Sequence, residues 1–409
     1  MTQNMTKTSN AKLGQAAVRR SAESRGKNRV SPIKTRADIP SARRVVVKVG
    51  SSSLTSIVNS LDELAVATIA DVLAKTHARG VEVVFVSSGA IAAGLAPLGL
   101  TRRPKDLATQ QAAAAVGQSL IMNRYTEIFS RYNVTISQVL VTAEDLMHRN
   151  RYHNAHRQLE RLLDLDVLPI VNENDAVATH EIKFGDNDRI AALVAHTIKA
   201  DALLLLSDVD ALYTKHPAEG GTRIDEVNDP VKDLEGVEIG TIGRAGVGSG
   251  GMVTKVEAAK IAASSGIPAL VTSTANAAAA LAGEDVGTWF TPTGGRRSVR
   301  LVWLTQLAKT KGSLTLDAGA VKAIRRRTSL LAAGVTDVEG VFRPGEPISL
   351  RDQDGKPVAN GIAAYSSDDM HRIAGKHTDE AMDELGDEHD GVVVHVDNLA
   401  LLTNRRSKR

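Results

Sequence analysis

From Arg44 onward the chain alternates between short apolar runs rich in β-branched residues and longer stretches rich in Ala and Leu. The apolar runs are continuous rather than alternating, which is typical of strands buried on both faces of a parallel sheet. Strands are predicted at Val45–Val49, Val81–Ser87, Val134–Val141, Val167–Val171, Ala202–Leu206 and Pro268–Val271. Helices are predicted at Leu61–Arg79, from Ala90, at Arg151–Leu163, at Asn187–Lys199, and from a Gly-rich loop at 246–251 to about Ser265. This series predicts an α/β fold, a mostly parallel sheet sandwiched between helices.

The pattern changes along the chain and predicts five segments. They are a disordered basic N-terminal tail (1–42), the α/β domain (43–291), a linker rich in Gly, Pro and Arg (292–311), a small β-rich domain (312–395) and a basic C-terminal tail (396–409). The β-rich domain follows from short strands separated by turn signals. The N-terminal tail lacks the apolar core of a secretory signal, so an upstream start codon or a disordered tail is favoured over a targeting segment.

Composition narrows the function classes. Hydrophobic residues make up 43% and charged residues 24% of the 409 residues, as in ordinary globular proteins. There are no cysteines, which excludes disulfides, thiolate nucleophiles and cysteine zinc sites. No apolar run approaches the roughly 18 residues of a membrane span, so a cytoplasmic protein is expected.

The net charge of +3 is unevenly distributed. Residues 1–44 carry 11 Lys/Arg against 2 Asp/Glu, whereas residues 312–390 carry 9 against 15. Basicity therefore belongs to the tails, and the folded body gives no support for binding a phosphate backbone.

Polar motifs follow several of the predicted strands, and ligands of open α/β sheets bind at the carboxyl ends of strands. Lys48 precedes a small turn, Gly50-Ser51-Ser52, where an ammonium group and backbone amides could meet a phosphate. Ser87-Ser88-Gly89-Ala90 leads from the second strand into a helix, whose N-terminus suits an anion. A surface lysine and a capping serine are the plainer interpretations of these two motifs.

Two polar clusters, Asn172–Asp175 and Gly185–Asp188, follow the fourth strand. Together they offer carboxylates and amides for the ammonium group of an amino acid, and Asp186 or Asp188 could orient lysines or engage Mg²⁺. Asx-rich turns would explain one cluster more easily than two. A third polar group, Ser207–Asp210, ends the apolar fifth strand and fits either a nucleotide site or a plain turn.

The Gly-rich segment Gly248–Lys255 opens a helix. Its backbone N–H groups can surround a phosphate, and Lys255 can neutralise charge on a moving phosphoryl group. The segment is not a Walker A motif, and a mobile glycine hinge is the plainer alternative. Two lysines from separate strand-end loops, Lys48 and Lys255, favour phosphoryl transfer, which needs positioning and charge neutralisation.

Other catalytic signatures are absent from the sequence: it has no His-Glu-x-x-His, no Gly-x-Ser-x-Gly, and no dinucleotide fingerprint after the first strand. His148, His153 and His156 lie close together, but their spacing fits a polar helix face better than a metal site.

These motifs, in this order, resemble the amino acid kinase family from about Arg44 to the end of the chain. Gly-Gly-Met-x-Thr-Lys is one of the matching motifs, and the pair Asn-Glu-Asn-Asp and Gly-Asp-Asn-Asp is the most specific. The resemblance implies an ATP- and Mg²⁺-dependent kinase that phosphorylates the side-chain carboxylate of L-glutamate, the first step of proline synthesis. Residues 312–395 resemble a PUA domain, a fold often found in RNA-modifying enzymes. Its net negative charge and lack of clustered aromatic residues argue against RNA binding, so a regulatory or assembly role is expected.

The resemblance also implies a role for each matching residue. Lys48 and Lys255 would contact the ATP phosphates, with Asp188 holding both lysines. Ser88, Asp175 and Asn187 would bind glutamate, with Asn172 and Asp186 as weaker candidates. The expected ATP-binding residues are Lys48, Ser207, Asp208, Ser249, Gly250, Gly251, Met252, Val253, Thr254 and Lys255. No metal ligand is expected from the protein, because Mg²⁺ would bridge the phosphates.

The family further implies feedback inhibition by L-proline, a homo-oligomer (dimer or tetramer), and transfer of the unstable product to glutamyl phosphate reductase. Two alternatives stay open. One is a family member acting on aspartate, acetylglutamate or a nucleoside monophosphate, which the loop identities disfavour. The other is an RNA-binding PUA protein whose kinase fold is inactive, which the presence of Lys48, Asp188 and Lys255 disfavours.

Overall fold

A computed structural model describes residues 32–54, 62–147, 149–177, 186–215, 219–230, 232–237, 251–293, 304, 310–386 and 391–402. The chain forms two compact units, 1–296 and 297–409. Within the described ranges, no helix is long and apolar enough to cross a membrane.

The first unit contains an eight-stranded sheet. Its strands are β1 (Arg44–Val49), β2 (Glu82–Val86), β3 (Ile136–Val141), β4 (Leu168–Glu173), β5 (Ala202–Ser207), β6 (Glu226–Val227), β7 (Ala269–Ser273) and β8 (Thr288–Phe290). Their order across the sheet is β3-β4-β2-β1-β5-β7-β8-β6. Neighbouring strands are parallel except β7 and β8, which are antiparallel. Every residue of β1, β2, β4 and β5 is buried, as their continuous apolar sequences predict.

Helices follow most of these strands. They are α1 (Glu63–Ala78), α2 (Ala90–Leu95), α3 (Leu107–Ser130), α4 (Ala143–Met147), α5 (Arg149–Asp164), α6 (Asp186–Thr197), α7 (Met252–Ser264) and α8 (Ala277–Leu281). Aspartates cap two of them: Asp62 accepts a hydrogen bond from the Ala65 amide, and Asp106 from the Thr109 amide. The mostly parallel sheet with helices confirms the predicted fold class.

The helical stretch predicted from Ala90 is two helices in the structure. Between α2 and α3 the chain contains Pro97, Gly99 and Pro104, and Gly99 has a φ of 69°. Proline lacks the amide that a continuing helix needs, and a glycine with positive φ ends one. The short α2 and the long α3 then pack closely against each other.

The N-terminal boundary of the first unit lies earlier than predicted. Arg36–Ser41 forms a 3₁₀ helix, and Ile33 and Ile39 are 5% and 3% exposed in the core of the first unit. Arg36 also pairs with Asp285 at 2.5 Å. Residues 32–42 therefore belong to the folded unit. Their basic composition led to the prediction of a disordered tail, although the segment contains two isoleucines. Residues 1–31 lie outside the described part of the chain.

The second unit has a five-stranded sheet in the order β11-β9-β12-β13-β15 and a two-stranded sheet of β10 and β14. These strands are β9 (Gly312–Leu316), β10 (Leu330–Leu331), β11 (Val335–Gly340), β12 (Pro347–Arg351), β13 (Pro357–Ile362), β14 (Val392–Val394) and β15 (Leu399–Leu401). Helices between residues 310 and 386 accompany them: α9 (Ala318–Arg325), α10 (Ser367–Ile373) and α11 (Thr378–Leu385).

The predicted C-terminal tail also needs correction. Strand β15 pairs with β13 in antiparallel register, and Leu399 and Ala400 are buried. The folded part therefore extends past residue 395 to at least Leu402, whose amide donates to the Val358 carbonyl. Most of the predicted linker and the end of the tail lie outside the described residues.

Candidate active site

The strand order places Lys48 at the centre of the sheet edge. Lys48 lies in β1, which has β2 and β4 on one side and β5 and β7 on the other. The carboxyl ends of these parallel strands meet at one edge, where ligands of such sheets bind. The candidate acceptor residues follow β2 and β4, whereas Ser207 and Asp208 end and follow β5. Lys48 therefore lies between the residues predicted to bind the acceptor and those predicted to bind the nucleotide, which we call the acceptor half and the nucleotide half.

Three charged side chains meet at this point. The Lys48 Nζ atom lies 2.5 Å from Asp188 Oδ1, and the Lys255 Nζ atom lies 3.5 Å from Asp188 Oδ2. The side chains come from β1, α6 and α7. Lys48 and Lys255 are each 4% exposed and Asp188 is 1% exposed. The sequence prediction that Asp188 holds both lysines thus describes the geometry of the site.

The electrostatics of this cluster favour an anionic ligand. Burial acts to raise the pKa of Asp188, but the ammonium groups of Lys48 and Lys255 outweigh burial and lower the pKa below its usual value. The pKa of Lys48 is also lowered, because burial and the charge of Lys255 outweigh its attraction to Asp188. An ionised aspartate with two ammonium groups leaves a net positive charge, which a phosphate would neutralise.

Helix α7 begins beside the same carboxylate. Thr254 Oγ1 lies 2.7 Å from Asp188 Oδ2 and 2.8 Å from the carbonyl oxygen of Gly251, which precedes the helix. Lys255, one residue further, is therefore fixed in the first turn. The unpaired amides of a helix N-terminus attract anions, so Gly251, Met252, Val253 and Thr254 remain proposed nucleotide contacts.

On the acceptor side, hydrogen bonds tie the end of β2 to its neighbours. The Ser88 hydroxyl donates to the Val49 carbonyl at 2.8 Å, which joins the loop after β2 to the last residue of β1. Ser87 Oγ lies 2.9 Å from the hydroxyl of Tyr125 on α3. Burial raises the pKa of Tyr125, so its hydroxyl stays neutral. Gly89 follows with a φ of 103° and immediately precedes α2.

A chain of side-chain amides lies at the end of β4. Asn172 Nδ2 donates to Gln118 Oε1 at 2.7 Å, and Asn172 Oδ1 accepts from the Glu173 amide at 2.9 Å. The same amide lies 3.2 Å from Oδ1 of Asn187, at the start of α6. Asn172 and Asn187 are thus brought together, and Asp175 follows in a partly buried turn.

The nucleotide side is built at the end of β5. The buried Ser207 hydroxyl donates to Asp208 Oδ1 at 2.9 Å, and the Thr274 hydroxyl donates to the Ser207 carbonyl at 3.1 Å. Asp208 is exposed and accessible to a ligand. Ser249 and Gly250, two further predicted ATP-binding residues, lie outside the described residues.

Three other predictions have different outcomes. Asp186 begins α6, but its side chain lies outside the described part of the structure. His148 also lies outside it, and the His156 ring stacks on Tyr152 in α5 with centroids 6.2 Å apart. Among the described residues, no group of three or more His, Asp or Glu side chains could hold a metal ion.

Sequence analysis did not single out Gln118. Its neighbours on one face of α3, at spacings of four, three and seven residues, are Ala114, Ile121 and Tyr125, all buried. A lone polar residue on a buried helix face was the signal that could have identified it.

Known proteins match this chain over both units. The model of the amino acid kinase family matches residues 43–273, and the PUA domain model matches residues 312–385. Glutamate 5-kinase of Streptomyces avermitilis is 54% identical over 370 residues, which cover 90% of this chain and 98% of that protein. Glutamate 5-kinase of Thermobifida fusca is 54% identical over 373 residues, covering 90% and 96%.

The chain belongs to the amino acid kinase family. Among solved structures, carbamate kinase from Giardia lamblia bound to AMP-PNP aligns with 62% of this amino acid kinase and 99% of its own chain, with a TM-score of 0.45 and 20% identity.

Proposed function

We propose that this amino acid kinase transfers the γ-phosphoryl group of ATP to the side-chain carboxylate of L-glutamate, giving L-glutamyl 5-phosphate and ADP. The arrangement of Lys48, Asp188 and Lys255 carries the proposal. Two ammonium groups lie between the acceptor half and the nucleotide half of one sheet edge, where a phosphoryl group would move between substrates.

The chemistry requires positioning and charge neutralisation from the protein. Negative charge on the transferring group spreads over its oxygens, and Lys48 and Lys255 are placed to stabilise it. Because the pKa of Asp188 is lowered, its carboxylate stays ionised and holds both lysines in position. Glutamate presents a carboxylate that is already ionised at neutral pH, so the reaction needs no general base.

Mg²⁺ would accompany ATP, neutralising charge on the β- and γ-phosphates. Asp188 is a poor direct ligand for this ion because two ammonium groups and the Thr254 hydroxyl already surround its carboxylate. We therefore assign Mg²⁺ to the phosphates rather than to a protein side chain.

The assignment of glutamate as acceptor is supported by the names of the relatives, which are glutamate 5-kinases covering 90% of this chain. Ser88, Asp175 and Asn187 are the proposed acceptor contacts, and they follow or face the ends of β2 and β4. Ser207 and Asp208, on the other side of β1, are proposed nucleotide contacts.

The decisive experiment traps the acyl phosphate. Purified protein is incubated with Mg-ATP, hydroxylamine and either glutamate, aspartate or acetylglutamate, and hydroxamate is measured. We expect hydroxamate from glutamate alone and none from Lys255→Ala. Turnover of another acceptor in place of glutamate would retain the phosphoryl-transfer chemistry and overturn the substrate assignment.

Inhibition by L-proline, a homo-oligomeric state and transfer of product to glutamyl phosphate reductase are proposals of the same kind. Proline added to the hydroxamate assay should suppress turnover, and glutamate should relieve the inhibition if both bind near one site. Light scattering after gel filtration tests for a dimer or tetramer. Direct transfer is tested by measuring product reduction with both enzymes present. The rate should exceed the rate expected if the product diffused freely from one enzyme to the other.

For the second unit, we propose a regulatory or assembly role. The competing RNA-binding function is opposed by its 15 Asp/Glu against 9 Lys/Arg between residues 312 and 390. RNA association that persisted at moderate salt in a mobility-shift assay would favour the competing function.

A further inference from the structure

Gln118 occupies a fixed position beside the acceptor half of the site. It follows Gly117 on α3, where this helix meets α2 backbone to backbone. A Cβ atom added to Gly117 would lie 1.8 Å from the Ala90 carbonyl oxygen. Because no side chain separates the helices at this point, the close contact fixes the backbone next to Gln118, whose side chain reaches Asn172 at the end of β4.

One backbone N–H group, that of Glu173, determines how the side-chain amides of Asn172 and Gln118 are oriented. The Glu173 N–H can only donate, so Asn172 must present its Oδ1 atom there, at 2.9 Å. Asn172 Nδ2 then faces Gln118, which must present its Oε1 atom, at 2.7 Å. The orientation of each amide is therefore set by its neighbour.

These hydrogen bonds change the role assigned to Asn172. Asn172 is 2% exposed, and both its oxygen and its nitrogen bind groups within the protein. We therefore regard Asn172 as a link rather than a direct glutamate contact. Its far end reaches the Glu173 amide, which Asn187 Oδ1 also approaches at 3.2 Å. Asn187 immediately precedes Asp188 in α6.

We propose that Gln118 is a positioning residue for the acceptor site: through Asn172 and the Glu173 amide it fixes the side chain of Asn187, which binds the amino acid substrate. The proposal rests on the proposed function, since Asn187 is one of its acceptor contacts. The Oε1 atom of Gln118 accepts the hydrogen bond that keeps the side-chain amide of Asn172 from rotating. Gln118 has no part in binding ATP.

A double-mutant cycle tests this proposal. Gln118→Met keeps the length of the side chain but removes the acceptor oxygen. We expect the KM for glutamate to rise about tenfold, the value of one lost hydrogen bond to a buried group, while the KM for ATP stays within about twofold. Asn172→Leu should raise the KM for glutamate at least as much. Adding Gln118→Met to Asn172→Leu should cause no further increase, because the link is already broken.

The double variant separates positioning from folding. Replacing both partners by apolar side chains leaves no unsatisfied amide between them, so the thermal midpoint should recover relative to Gln118→Met while the KM for glutamate does not. Asn123→Met, an exposed amide on the same helix, is the matched control and should change neither. Where turnover is too slow, calorimetric binding of glutamate replaces the KM.

Two results would overturn the proposal. Additive effects of Gln118→Met and Asn172→Leu would mean that Gln118 acts independently of Asn172. If the KM for glutamate and the KM for ATP changed equally, and in proportion to the loss in thermal midpoint, the role of Gln118 would be purely structural. Failure of the proposed function is distinguishable, because the wild-type protein would then phosphorylate another acceptor, and the same cycle would be measured with that acceptor.

Discussion

At the scale of single residues, Asp188 is unusual because its one carboxylate pairs with two buried ammonium groups. Asp188→Asn keeps the shape of the side chain and removes the charge. We expect kcat to fall by about 10²–10³-fold, because the lysines lose their anchor and repel each other. The free energy of unfolding should fall by about 3–5 kcal/mol, since buried charges are left uncompensated. Hydroxamate kinetics and urea unfolding measure both effects.

Asp354→Asn provides the control for this substitution. Asp354 is exposed in a turn of the second unit, and its replacement should change kcat and stability only slightly. Wild-type kcat in Asp188→Asn would contradict the anchoring role.

The lowered pKa of Lys48 has opposite consequences for activity and for folding. Lys48 loses its proton at a pH below the usual 10.5, so kcat/KM for ATP should decline on the alkaline side with an apparent pKa below that value. In the same pH range the unfolded chain binds more protons than the folded protein, so through this group the free energy of unfolding rises with pH.

Activity and thermal midpoint measured between pH 7 and 10.5 distinguish these two effects. A decline in kcat/KM without a parallel decline in the midpoint supports titration within the site. Activity that stays constant up to pH 10.5 would argue against a requirement for the protonated Lys48 side chain.

At the scale of elements, the crossing of α2 and α3 should tolerate no added atoms. A Cβ at Gly94 would lie 1.9 Å from the Ala113 carbonyl oxygen, and one at Gly117 would lie 1.8 Å from that of Ala90. Alanine favours helices by about 1 kcal/mol over glycine, but the steric overlap with the backbone should outweigh this gain. We expect each Gly→Ala variant to lose at least about 2 kcal/mol of unfolding free energy.

Urea unfolding measures the loss, with Ser119→Ala on the exposed face of α3 as control. That substitution should be neutral or slightly stabilising. A Gly117→Ala variant as stable as the control would show that the helices can separate without cost.

The main elements of the first unit could be predicted because each carries its own signal. Continuous apolar runs identified the buried strands β1, β2, β4 and β5, and glycine or capping residues marked helix ends. The short strands β6 and β8 have too few residues to show a period. They form by pairing: β8 pairs with β7, and β6 pairs with β8. Such pairing is a tertiary effect that local sequence does not encode.

The candidate site was predictable to a similar degree. Strand-end motifs identified Lys48, Asp188 and Lys255, and both lysine Nζ atoms lie within 3.5 Å of the Asp188 carboxylate. Gln118 was not predicted because its contact with Asn172 spans 54 residues and depends on how α3 packs against α2. Helix packing is decided by the whole core, and no single motif reports it.

At the scale of the whole molecule, Ile33 and Ile39 make the segment 32–42 part of the core of the first unit. Removing residues 1–31 should leave the thermal midpoint and kcat near wild type, whereas removing residues 1–42 should lower the midpoint markedly. The longer deletion exposes the apolar surface that covers Ile33 and Ile39, each worth up to about 3 kcal/mol, and removes the Arg36–Asp285 pair.

Differential scanning fluorimetry of the two truncated proteins measures this difference. Equal midpoints would mean that residues 32–42 add nothing to the stability of the first unit, despite their burial. A loss of activity in the shorter deletion alone would assign a role to the basic tail.

The position of β1 between the two halves of the sheet edge also bears on how new specificities can arise. The proposed acceptor contacts follow strands on one side of Lys48, and the proposed nucleotide contacts at Ser207 and Asp208 lie at the end of a strand on the other. Mutations can therefore accumulate in the loops after β2 and β4 without disturbing the machinery that handles ATP. An enzyme divided in this way can exchange one acidic metabolite for another while its energy source stays the same.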